Sequence, residues 1–254
     1  MWNVIERSVR GTAHERDGSP CQDSSYTLRT IADGEWFLIA ACADGAGSAQ
    51  LSELGSTLAC QEAVRLAEAA LQAGHRPETM EAAMVSGWLG EIRRAIASRA
   101  GELGVASRDL ACTLLLAIVG EQGAAYAQVG DGAVVVQGIS GLETVFWPET
   151  TEYLNLTQFI TDPSSPLQFT TGPAPDRLAL LTDGLQLLAL DYARRVPHEG
   201  LFQPLFASLE SSSEPESLYA PLGRFLDSPA VNARTDDDKT LVLATRHSHA
   251  SAAA

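Results

Sequence analysis

Cysteine is scarce in this chain and unpatterned. Cys21, Cys42, Cys60 and Cys112 form no C-x-x-C pair, which excludes a thiolate metal ribbon and a paired redox motif. Cys42 and Cys112 lie inside apolar strand-like runs, so the four are read as buried, reduced thiols. Basic residues are also few. Seventeen Lys and Arg stand against 32 Asp and Glu, a net charge of −15. That balance disfavours nucleic acid and an anionic membrane surface as partners. No apolar stretch reaches the roughly 18 residues of a membrane span, and the opening Met1–Arg7 has no secretory apolar region. No nucleic acid and no membrane are therefore expected as partners, and the expected location is cytoplasmic. Without a secretory signal, Asn155-Leu156-Thr157 matches a glycosylation acceptor only by chance. The sequence offers no H-E-x-x-H, no evident Ser-His-Asp arrangement, no Cys nucleophile in a Gly/Arg-rich loop and no internal repeat.

What is present is a foldable chain. The hydrophobic fraction is 45% over 254 residues, enough for a substantial core. Residues 1–245 are read as one domain and the Ala/Ser/His-rich 246–254 as a disordered tail. Trp36 to Ala43 is a continuous apolar run of the kind buried on both sheet faces. Asp33-Gly34 before it reads as a hairpin turn. Gly55 to Leu71 has helical spacing. A second helix is expected to open at Pro77-Glu78, carry Met84, Trp88, Ile92, Ala95 and Arg99 on one stripe, and close at Gly101. Cys112–Val119, Ala124–Val129, Ala133–Gln137 and Leu142–Phe146 read as an antiparallel meander with Gly-containing turns. Trp147 to Pro175, rich in proline, is either a hairpin and loop over the site or a surface excursion. Arg177–Thr182 and Thr240–Thr245 read as strands, Leu201–Leu209 and Glu216–Leu226 as helices. This order points to sheets with helices on their outer faces.

Aspartates punctuate that pattern. Cys21-Gln22-Asp23, Asp44-Gly45-Ala46-Gly47, Thr182-Asp183-Gly184 and Asp236-Asp237-Asp238-Lys239-Thr240 are far apart in sequence. Three of the four cassettes adjoin an apolar strand, so a sheet could gather them at one edge. Clustered carboxylates repel one another unless divalent cations neutralise them. A metal-dependent hydrolase is the first expectation. Taken singly each Asp is open to a plainer reading: Asp131 and Asp183 as turn formers, Asp236 and Asp238 as solvated or supporting groups, His14 as a turn histidine.

With Gly130-Asp131-Gly132 added, the cassettes in this order resemble the type 2C metal-dependent protein serine/threonine phosphatases of the PPM family. The similarity is to the short, flapless bacterial form and covers about residues 8 to 245. It implies an α+β fold, a four-layer α-β-β-α sandwich with two central antiparallel sheets. It implies two Mn²⁺ or Mg²⁺ ions, possibly a third, and a dimetal-bound hydroxide that hydrolyses phosphate monoesters. By position, Asp44 would bridge the ions and the Gly45 carbonyl would bind one. Asp183 and Asp237 would bind the other, Asp23 would hold a metal-bound water, and Asp131 would help hold a third ion. The implied partner is a phosphoserine or phosphothreonine protein.

The chain departs from that pattern in three places. Ala46 stands where the family has a histidine, Gly18 where it has a phosphate-gripping arginine, and Asp238 where it usually has asparagine. Arg10, His14 and Arg16 are the nearby substitutes, and His14 is taken with Asp23 as a candidate catalytic residue. The alternatives are a non-catalytic phosphatase-like binding or regulatory domain, and an esterase for a small phosphate ester.

Overall fold

The computed structural model describes residues 2–139, 141–148 and 158–246. The chain opens with strand β1 (Trp2–Val9), a short helix α1 (Thr12–Asp17), and the hairpin β2 (Ser24–Ala32) and β3 (Glu35–Ala43). Two long helices follow, α2 (Ser52–Gln72) and α3 (Ala82–Leu103). Then come β4 (Leu114–Val119), β5 (Gly123–Val129), β6 (Ala133–Gly138), β7 (Gly141–Thr144), β8 (Gln168–Pro173) and β9 (Arg177–Leu181). The last third holds α4 (Gln186–Ala189), a small hairpin β10 (Leu190–Asp191) and β11 (Val196–Pro197), α5 (Glu199–Ser211), α6 (Tyr219–Leu226), α7 (Pro229–Asn232) and β12 (Lys239–Arg246).

Ten strands form two five-stranded antiparallel sheets, ordered β1-β12-β9-β6-β7 and β2-β3-β4-β5-β8. Side chains alternate across a strand, and β3 shows how the layers arise. Leu38, Ala40 and Cys42 face the other sheet, meeting Leu178, Leu180, Val242 and Ala244. Phe37, Ile39 and Ala41 face outward onto Ala59, Ala63 and Val64 of α2 and Ile92 and Ile96 of α3. The second sheet does the same, with Leu181, Leu241 and Leu243 against Phe202, Phe206, Leu222 and Leu226 of α5 and α6. The four-layer α-β-β-α sandwich expected from the sequence is the observed architecture.

Several local expectations are corrected. The meander is not one sheet. β4–β5 and β6–β7 are hairpins of different sheets, and the chain crosses between them at Gly130–Gly132. A glycine-rich tripeptide between two apolar runs fits a tight turn and a crossing equally well. Pro77 opens only a single 3-10 turn, Pro77–Thr79; Met80 is extended and buried, and α3 starts at Ala82. Its buried stripe is Val85, Trp88, Leu89, Ile92, Ile96 and Ala100, while Arg99 is exposed; the helix runs past Gly101 to Leu103. Strands β1 and β8 and helix α1 carry no strong periodic signal in the sequence, and the structure adds them. Asp33 and Gly34 do form the two-residue hairpin turn, with φ of 51° and 81°. Arg246, expected in the tail, ends β12 and donates to the Gly120 carbonyl. The rest of the tail and the Asn155–Thr157 match lie outside the described residues, as do residues 149–157 of the Trp147–Pro175 stretch. Of that stretch, Gln168–Pro173 is an edge strand. No helix among the described residues is long and apolar enough to cross a membrane.

Candidate metal centre

Register places the aspartates. Ser24 pairs with Ala43, Leu114 with Val129, and Leu181 with both Ala133 and Leu241. The start of β2, the ends of β3, β5 and β9, and the starts of β6 and β12 therefore share one end of the sandwich. Asp23, Asp44, Asp131, Asp183 and Asp237 each lie within two residues of one of those strand ends. Beyond β3, Gly45 bridges to Cys112, and the Thr113 hydroxyl accepts from the Asp44 amide at 2.9 Å.

Carboxylate oxygens of Asp44, Asp131 and Asp183 lie within 4.8 Å of one another. Asp23 is buried beside them. Its Oδ2 accepts from the Thr182 hydroxyl at 2.7 Å and the Thr240 hydroxyl at 2.8 Å. Its Oδ1 has no hydrogen-bond partner among the described residues, and the Asp44 carboxyl lies close enough to interact with the Asp23 carboxyl. Burial pushes Asp23 and Asp183 up to about 7 from 3.8, and the neighbouring charges of Asp131 and Asp237 add to the rise at Asp183. Asp44 is raised further, by burial first and then by Asp23, Asp183 and Asp237. Without a counter-charge these groups hold protons. Among the described residues no Lys or Arg pairs with Asp23, Asp44 or Asp183.

The donors are all carboxylate oxygens, and Asp23 Oδ1 is buried with no hydrogen-bond partner among the described residues. That set suits a hard divalent cation such as Mn²⁺ or Mg²⁺ and offers nothing to a soft one. Asp237 stands outside the tight trio but close enough for its charge to act on Asp44 and Asp183.

The departures have structural accounts. Gly18 ends α1 with φ 74°, a left-handed position that an arginine would hold at a cost. Ala46 is buried in a small apolar cluster with Ala49 and Ala111, and its methyl side chain has no ionisable group. Arg10 and Arg16 pair at the surface with Glu15 and Asp236. His14 points elsewhere: its Nδ1 lies 2.9 Å from Oδ1 of Asp238.

Asp238 is the residue that sequence reasoning most undervalues. It is 1% exposed, and its carboxylate accepts from the Gly11 and Gln22 amides, each at 2.6 Å. Asp236, by contrast, is exposed as expected. In the sequence Thr182 and Thr240 are only parts of cassettes, yet their hydroxyls fix Asp23. Gln186 is a further addition from the structure. It donates to the Asp131 carbonyl and accepts from the Tyr192 hydroxyl at 2.7 Å, and Trp147 meets Tyr192 edge-on at 5.5 Å. A polar residue three positions after a strand-end Asp is its only signal.

The family described as Protein phosphatase 2C matches residues 10–227. Serine/threonine-protein phosphatase 3 of Escherichia coli (strain K12) is 36% identical over 249 residues, 96% of this chain and 98% of that protein. Among solved structures, a bacterial serine phosphatase superposes with a TM-score of 0.63 at 15% identity, covering 99% of this chain and 100% of that one. The serine/threonine phosphatase Stp1 of Staphylococcus aureus gives 0.62 at 17%, covering 98% and 96%.

Proposed function

Because the chain belongs to the protein phosphatase 2C family, we propose that it is a serine/threonine phosphoprotein phosphatase dependent on Mn²⁺ or Mg²⁺. The observation that carries this reading is the approach of Asp44, Asp131 and Asp183 to within 4.8 Å at one end of the sandwich. Three half-buried carboxylates at that distance are unstable as anions without a cation among them.

In this reading Asp44, the Gly45 carbonyl, Asp183 and Asp237 would hold two divalent ions, and Asp131 would contribute to a third. When bound, the ions supply charge neutralisation for the phosphoryl group and a hydroxide nucleophile near neutral pH. The protein's own residues orient and exchange protons. Asp23, clasped on Oδ2 by Thr182 and Thr240, presents Oδ1 as the acceptor for a water. His14 supplies the proton for the leaving oxygen, a task that Ala46 has no atom to perform. Four thiols without disulfides fit a reducing, cytoplasmic setting.

The test is phosphate release from a phosphothreonine peptide and from an aryl phosphate, with Mn²⁺ and then with excess chelator. Metal-dependent turnover of the peptide is expected. Metal binding without turnover of either substrate would instead indicate a phosphatase-like binding domain. Turnover of the aryl phosphate alone would indicate a small-ester hydrolase.

A further inference from the structure

We infer that Asp238 is a positioning residue for His14, holding the imidazole by Nδ1 so that Nε2 is the ring nitrogen offered to the leaving group of the substrate. This deepens the phosphatase reading and rests on it.

The Asp238 carboxylate sits at a junction of three segments. Gly11, at the entrance of α1, and Gln22, next to Asp23, each donate a backbone amide to it at 2.6 Å. His14, one turn into α1, brings Nδ1 to 2.9 Å from Oδ1, at ion-pair distance but off the line of a hydrogen bond. Asparagine could satisfy one of the amides, but its NH₂ would face the other amide as a second donor. A carboxylate accepts from both and still faces the ring.

The helix cannot slide away from this contact. Gly11 is pressed against the Asp236–Asp237 backbone so closely that any Cβ would collide with it. Ala13 donates its amide to the Asp236 carbonyl at 2.8 Å. The His14 side chain is mostly buried, 17% exposed. The result is an imidazole held against Asp238, which directly follows Asp237 in the chain and accepts from the amide of Gln22, the neighbour of Asp23; it is the one N-terminal candidate not engaged in a surface ion pair with Glu15 or Asp236.

A carboxylate oxygen 2.9 Å from Nδ1 repels a ring lone pair there and attracts a proton, so it favours the Nδ1–H tautomer without a linear hydrogen bond and leaves the other nitrogen for chemistry. In the hydrolytic step, the bond from phosphorus to the threonine oxygen breaks with its electron pair on that oxygen. The oxygen takes the Nε2 proton of the imidazolium. The ring is left neutral, with its proton on Nδ1 facing Asp238. The attacking water gives its oxygen and one proton to the released phosphate, and its second proton restores Nε2.

The experiment has two arms. In the metal-free protein at about pH 8, a long-range ¹H–¹⁵N spectrum should show His14 as the Nδ1–H tautomer; an Nε2–H ring overturns the pairing. In the Mn²⁺-loaded protein, Asp238→Asn and His14→Gln should each lower phosphothreonine turnover by about 10- to 100-fold. Aryl phosphate, with a good leaving group, should lose less than about threefold, because it needs little protonation. The double variant should be no slower than His14→Gln alone, since both changes remove one function. Equal losses on both substrates, or additive losses in the double variant, would make Asp238 a purely structural clasp and overturn the inference. If Asp238→Asn fails to fold, the wild-type tautomer and the leaving-group selectivity of His14→Gln still decide. A wild type with bound Mn²⁺ and no turnover of either substrate would remove the phosphatase reading itself; a wrong tautomer would remove only the pairing.

Discussion

The Thr182 hydroxyl donates to Asp23 Oδ2 at 2.7 Å, tying the end of β9 in one sheet to the start of β2 in the other. The same hydroxyl oxygen accepts from the Thr240 amide at 3.0 Å. A single buried threonine thus joins three strand ends. Replacing Thr182 by Val keeps the shape and removes both bonds. The expected cost is about 1–3 kcal/mol of stability, the usual range for stranding a buried acceptor. Urea unfolding of the metal-free protein measures it. A loss below the error of the extrapolation would mean that Asp23 does not depend on this clasp.

Divalent metal should stabilise the fold. Ions that relieve the repulsion among Asp23, Asp44, Asp131 and Asp183 bind the native state in preference to the unfolded chain. At a hundred times the dissociation constant, mass action contributes about 2.7 kcal/mol. Melting curves with millimolar Mn²⁺ should move upward, and chelator should reverse the shift. Asp44→Asn and Asp183→Asn should blunt the shift. A melting temperature indifferent to Mn²⁺ in the wild type would argue against a metal site at these carboxylates.

The metal-free protein should show an inverted pH response at this site. Burial raises Asp23 and Asp183 from 3.8 to about 7 and Asp44 further still. Native carboxylates therefore keep protons that the unfolded chain releases above about pH 4. The stability that Asp23 and Asp183 contribute is complete below 3.8 and is lost as pH rises through 7, and the share of Asp44 is lost progressively up to about 11. A carboxyl that is a tenfold weaker acid in the native state accounts for about 1.4 kcal/mol. Between about pH 5 and 8 the metal-free protein should lose stability, and the gain from Mn²⁺ should grow over the same interval. Asp44→Asn, which cannot ionise, should flatten the slope. Thermal denaturation across that range, wild type against variant, checks the sign; identical slopes would refute the burial argument.

Much of this is legible in the sequence, for identifiable reasons. β3 announces itself because a strand buried on both faces has to be apolar without interruption. Asp44 and Asp183 follow, because each immediately ends such a run or stands two residues beyond it. β1 escapes because Asn3, Glu6, Arg7 and Ser8 break its alternation, although its register with β12 is unbroken from Trp2 to Val9. The crossing at Gly130–Gly132 reads as a turn because local glycine content does not say which sheet the next strand joins. Asp238 is undervalued for a related reason. In a run of three aspartates, burial depends on backbone amides of Gly11 and Gln22, more than 200 residues away, and no local pattern encodes them.

Asp44 tests the proposed centre most directly, because it is raised by burial and then by three neighbouring aspartates, and lies in the tight carboxylate trio. Asp33, an Asp-Gly of similar local sequence, sits in the β2–β3 turn and pairs with Arg76 at 2.9 Å on the surface. The measurement is phosphothreonine-peptide turnover at saturating Mn²⁺ for wild type, Asp44→Asn and Asp33→Asn. Expected is a loss of at least about 100-fold for Asp44→Asn, on the scale of removing a group that organises transition-state charge, with Asp33→Asn within about twofold of wild type, as for surface changes. Near wild-type turnover by Asp44→Asn would contradict the assignment of this end of the sandwich as the catalytic metal centre.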